Sequence, residues 1–219
     1  MMIKRRNNNS NINITKHMQE NLGLYLLTIL CLFTGMILGI YTIRYMENKE
    51  REDLINYFLT FKGNIKNAEV NQWYIIIETL KNNLPILVGI WLLGVTMVGL
   101  PIILIIDIIK GYTLGFTLSF LFMSLGLKGT VFVLIGVLPQ NIIYLPCIII
   151  ASVLAMKLSV SKLKEKFNRD AYRNAYSFTS YSLAFIIILA LMIIGAFYEA
   201  YITPNAIKAV AISLGSVDI

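Results

Sequence analysis

The sequence predicts an all-α integral membrane protein: five transmembrane helices, with one or two interfacial amphipathic helices in the first outer loop. Three observations lead there. Residues 84–127 form a run of 44 that carries only two charges, Asp107 and Lys110. At about 1.5 Å per residue such a run extends roughly 66 Å, twice the ~30 Å hydrocarbon core, so it must cross, turn and cross back. Composition agrees, with 57% of the 219 residues hydrophobic, 14% charged and a mean hydropathy of +0.71. A soluble domain carries about 25% charged residues. Finally, the basic residues gather between the apolar runs in a pattern that orients them.

The elements follow in order. Residues 1–21 are a cytoplasmic tail with Lys4, Arg5, Arg6 and Lys16, and with the tract Asn7-Asn8-Asn9-Ser10-Asn11, which has nothing apolar to fold around. Span one is 22–43; its 22 apolar residues exceed the h-region of a secretory signal, and no small-x-small cleavage site follows. The outer loop, 44–83, holds two helix-like stretches. Leu54, Ile55, Phe58, Leu59 and Phe61 form one, and Trp73, Ile76, Ile77 and Leu80 the other. Aromatic residues there suit the membrane–water interface, so both read as helices lying on the outer surface. The loop's six basic and six acidic residues balance, which makes attraction to lipid weak.

Spans two to four occupy 84–156. The second begins with Asn83 as N-cap and Pro85 in its first turn, and runs to 106. The chain then turns at Asp107-Ile108-Ile109-Lys110-Gly111. The third span, 111–127, is at the lower limit of length, and the fourth is 130–156. A basic cytoplasmic loop, 157–177, leads to span five, 178–200, and an outer C-terminal tail, 201–219. With the N-terminus inside, eleven of the nineteen basic residues are cytoplasmic, Lys110 among them. A re-entrant third segment would put the 157–177 loop outside, against this bias.

Charge and motif exclude several classes. The net charge of +7 follows the topology, so it does not imply nucleic acid. One histidine, His17, and two cysteines in apolar runs, Cys31 and Cys147, leave no material for a metal site. No HExxH, GxSxG or P-loop is present, and no cofactor or enzymatic activity is expected. Three constellations remain. Asp107 and Lys110 are spaced to share one helical face, and a turn near the interface would solvate both. Pro139-Gln140-Asn141 interrupts the fourth span near mid-membrane, with Pro146 following. Its amides could satisfy freed carbonyls, bridge helices or line a polar pocket, and a pocket would suit a small-solute transporter or channel. Glu199, near the outer end of the last span, is the other intramembrane acid. Gly35/Gly39 and Gly111/Gly115 fit the small-xxx-small pattern of close helix packing without saying which helices touch.

Several of these residues carry a resemblance. Gly99-Leu100-Pro101-Ile102-Ile103, Lys110-Gly111 with Gly115-Phe116-Thr117, Val137-Leu138-Pro139-Gln140-Asn141-Ile142-Ile143 and Glu199-Ala200-Tyr201-Ile202-Thr203-Pro204 resemble stage II sporulation protein M in order and spacing. At Asp107 the chain departs from the usual apolar residue of that family, which argues against a shared role for the carboxylate. The resemblance implies a polytopic protein of endospore-forming bacteria that acts in engulfment. It further implies a non-catalytic scaffold and recruiter for two peptidoglycan-degrading partners, stage II sporulation proteins D and P, in the mother-cell septal membrane. A homo-oligomer is compatible with the same reading.

Overall fold

Five helices long and apolar enough to cross a membrane run through the structure, a computed structural model that describes residues 21–56, 72–167, 178–201 and 204. They are α1 (Leu22–Tyr45), α2 (Gln72–Val95), α3 (Gly99–Phe132), α4 (Leu138–Phe167) and α5 (Phe178–Tyr201). A π-helical turn, Val133–Val137, joins α3 to α4, and no strand occurs among the described residues. The asparagine tract, Phe58, Leu59 and Phe61, the basic residues Arg169 and Arg173, and the tail from 205 onward lie outside the described residues.

The number of spans is as expected, but two boundaries move. The chain does not turn at Asp107–Gly111; those residues sit inside α3, and the break falls at residues 96–98. There Thr96 closes the end of α2, donating from its backbone and its hydroxyl to the Leu93 carbonyl at 3.0 and 2.7 Å. Gly99 then opens α3 so close to α2 that a Cβ would overlap the Leu93 carbonyl oxygen. The third span is therefore Gly99–Met123, 25 residues rather than 17. The reason is that Asp107 and Lys110 find polar partners on other helices and need no interface to solvate them. This removes Lys110 from the cytoplasmic side of the charge count and leaves ten basic residues against eight.

The start of the second span moves as well. Asn83 is not an N-cap; its amide donates to the Thr79 carbonyl at 3.0 Å within a helix that begins at Gln72. Pro85 stands inside that helix. The Trp73–Leu80 stretch is thus the first half of α2 and not a separate surface helix. Its Ile76 packs on Ala196 and Ala200 of α5, while Trp73 and Tyr74 stay exposed. Of the first stretch, residues 48–56 are helical. From this helix Arg51 reaches the Ile43 carbonyl at 3.4 Å and the Met123 sulfur at 3.8 Å, tying the ends of α1 and α3.

The closest pair is α1 with α3, and all four spaced glycines lie between them. A Cβ on Gly35 would overlap the Ile108 carbonyl oxygen, and one on Gly39 that of Tyr112. From the other side, Gly111 meets the Leu32 carbonyl and Gly115 that of Met36. Leu32 against Gly111 and Met36 against Gly115 make the two helices run in the same direction. Backbones this close gain dispersion contacts in a setting where lipid supplies no hydrophobic drive between helices.

At the other junction, Gly126 adopts φ 55°, ψ −132°, a backbone region that a side chain would strain, and the chain reverses there from the third span into the fourth. The fourth helix is the central one and touches all the others. Residues 151–156 are buried without a break, and the small side chains of Ala151, Ser152 and Ala155 among them let neighbouring helices approach on several sides. Near the 96–98 end, Tyr181 is fully buried between Phe178 and Phe185 and donates to the Trp91 carbonyl at 2.9 Å.

The seam predicts a selective response. Gly35→Val or Gly111→Val should lower stability by about 1–3 kcal/mol or more, through overpacking against backbone that cannot yield. Gly23→Ala and Gly89→Ala, with open space around them, should stay within about 0.5 kcal/mol. Unfolding of the purified protein in graded dodecyl sulfate reads both, and equal tolerance at all four sites would remove the seam.

Candidate functional site

Three helices place polar residues on stripes at helical spacing, and the stripes converge beside one residue of a fourth. On α3, Lys110, Thr113, Leu114 and Thr117 follow the spacing i, i+3, i+4, i+7. On α4, Val137, Gln140, Asn141 and Tyr144 repeat it, and on α2, Thr79, Asn82 and Asn83 follow its first half. With Glu199 from α5, these twelve residues line one cleft of about 300 Å³. Helical spacing of this kind puts side chains on a single face, so each helix turns its polar stripe inward and leaves its apolar faces to lipid.

The polar groups are connected within the cleft. Lys110 donates to the Asn83 side-chain oxygen at 2.9 Å, and the Asn83 amide passes on to the Thr79 carbonyl. Across the cleft, the Tyr144 hydroxyl donates to Glu199 at 3.1 Å. Lys110 and Glu199 attract one another through the intervening space while keeping these separate partners. An ion of either sign costs roughly 2.5–3.5 kcal/mol at the centre of a bilayer-spanning helix. Opposed charges, amides and room for water offset that cost here.

The Pro139 segment is remodelled without a break. The helix widens into the π turn Val133–Val137 immediately before Pro139, which has no N–H and whose ring crowds the carbonyl four residues back. Asn141 donates its side-chain amide to the Val137 carbonyl at 2.7 Å, within its own helix. Gln140 contributes an amide oxygen that is buried and has no partner. Of the residues singled out from sequence, Lys110, Gln140, Asn141 and Glu199 therefore meet in one place, whereas Pro139 shapes the wall without lining it.

Asp107 lies apart from this cleft and is not a solvated turn residue. It is fully buried, and it does not pair with Lys110. One carboxyl oxygen accepts from Ser152 of α4 at 2.7 Å, and the other has no partner. Thr79, Asn82, Thr113, Thr117 and Tyr144 are cleft residues that reading from sequence did not single out as a site, and Asn83 was read there only as a helix cap. The signal that could have found them is the shared i, i+3, i+4, i+7 polar spacing in otherwise apolar helices.

A family model described as stage II sporulation protein M matches residues 28–204 and so reaches into all five helices. No curated protein and no solved structure matches the chain.

The hydrogen bonds rank a set of substitutions. Asn141→Leu removes the side-chain bond to the Val137 carbonyl and should cost about 0.6–2 kcal/mol, whereas Gln140→Leu removes an unpartnered oxygen and should cost less. Ser152→Ala leaves the Asp107 carboxyl without its donor, at about 1–3 kcal/mol, while Asp107→Asn keeps that bond and should be nearly neutral. Detergent unfolding measures all four, and a reversed order within either pair would contradict the assignments.

Proposed function

The chain belongs to the stage II sporulation protein M family, a family of sporulation membrane proteins, and from that premise we propose that it is the non-catalytic membrane scaffold of an engulfment complex. In this reading it recruits two peptidoglycan-degrading partners, stage II sporulation proteins D and P, to the mother-cell septal membrane. The observation that carries the reading is the family match over residues 28–204, which covers the glycine seam and the polar cleft together. The multi-pass bundle suits a scaffold, with α1 and α3 tied backbone to backbone.

The proposal includes an orientation, N-terminus in the cytoplasm and C-terminus outside. Ten basic residues against eight support it, as does Lys157-to-Lys164 clustering at one end of α4. Residues 46–71 and the tail after Tyr201 then face the cell wall. Thiols introduced at Asn48, Lys164 and Ser216 test this with an impermeant label on intact cells. The first and third should react and the second should not; labelling at Lys164 overturns the orientation.

A second reading, a small-solute transporter or channel, is favoured by the cleft of about 300 Å³ with its Lys110, Asn141 and Glu199 lining. One pair of experiments separates the two. For a scaffold, deleting the gene leaves the D and P partners made but mislocalised, and engulfment stalls at the septum. For a transporter, proteoliposomes show solute uptake or conductance that Asn141→Ala abolishes. Correct partner placement in the deletion strain would contradict the scaffold.

A further inference from the structure

The cleft has a chemical signature that the scaffold reading does not use. Lys110 has three ammonium protons and directs one to Asn83. Glu199 accepts from the hydroxyls of Tyr144 and Thr79 and, as a carboxylate lining the cleft, keeps further acceptor capacity. The Thr113 and Thr117 hydroxyls donate to the carbonyls of Ile109 and Thr113 in their own helix, which leaves only acceptor capacity facing the cleft. Lys110 is therefore the cationic donor of the cleft, and Glu199 its anionic acceptor.

We propose that this cleft binds a small zwitterion, an amino acid or a short peptide, with its carboxylate on Lys110 and its ammonium on Glu199. A simple anion would satisfy Lys110 and face Glu199 unscreened; a simple cation would meet the reverse problem. A neutral apolar occupant would displace the water that solvates the remaining hydrogen-bonding capacity of both charges, which is the costly outcome. A zwitterion answers both ends at once. The volume of about 300 Å³ stands at the lower end of small-molecule sites, which selects compact ligands.

The claim stands apart from partner recruitment, because it is read on the purified full-length protein in lipid nanodiscs with neither of the D and P partners present. The probes are radiolabelled L-alanine and L-alanyl-L-alanine, with N-acetyl-alanyl-alanine and alanyl-alanine amide as competitors. At least one zwitterion should bind saturably. Blocking either terminus should weaken binding about tenfold or more, the loss expected for one charge-assisted hydrogen bond. Lys110→Met and Glu199→Gln should each do the same, and Ile105→Ala, on an exposed part of α3, should not. If a charge variant fails to accumulate, the blocked ligands decide the matter on the unaltered protein. No saturable binding of either zwitterion, or blocked ligands that compete as well as free ones, overturns the proposal.

Discussion

The contact on which the rest of the molecule depends is the one between α1 and α3, where four glycines let two backbones touch. Gly111 and Gly115 must face α1, because any side chain there would strike the Leu32 and Met36 carbonyls. That requirement sets the rotation of α3 about its own axis. Asp107 is one turn before Gly111 on nearly the same face, so it is carried into the core against Ser152 of α4. Lys110 precedes Gly111 by one residue and is turned by about 100° from the seam, which aims it at α2 and the cleft. A seam with no side chains thus decides where the two charges of this span reside.

The bilayer supplies the second constraint. Every polar group at this depth needs a partner from the protein or from enclosed water. For most of these groups the chain does so in two ways, Asp107 and Gln140 each keeping one unpartnered oxygen: Asn83 and Asn141 turn back onto carbonyls of their own helices, and Lys110 and Glu199 share a polar cleft built from four helices. The π turn before Pro139 belongs to the same economy, since it widens the helix where proline would otherwise clash. The cleft exists because these local solutions all face one way.

Much of this was legible in the residues. Apolar run lengths mark five spans, and the polar spots at Lys110, Gln140, Asn141 and Glu199 stand out against their surroundings. The turn between spans two and three was not, for a physical reason. Asp107 and Lys110 are the only charges in a long apolar run, and charge ordinarily marks an interface. Their partners, Ser152 and Asn83, are 45 and 27 residues away, so nothing local reveals that the bilayer interior can hold them. The real turn, at Thr96, Met97 and Val98, carries no charge, proline or glycine of its own. The partner of the glycine pattern was hidden likewise, because small-residue spacing specifies close approach and leaves the neighbour open.

The central claim is that Lys110 and its stripe lie inside the membrane in a water-accessible cleft, on a different face of α3 from the lipid-exposed Ile105. Single cysteines at Thr113 and Thr117, and at Ile105 and Ile187, on a background with Cys31 and Cys147 replaced by alanine, address it directly. Their rates of reaction with a small water-soluble thiosulfonate are compared in lipid nanodiscs. The cleft positions should react readily, and the exposed apolar positions Ile105 and Ile187 should be protected by lipid. Reaction at Ile105 as fast as at Thr113 would instead place this stretch at a membrane surface and contradict the account.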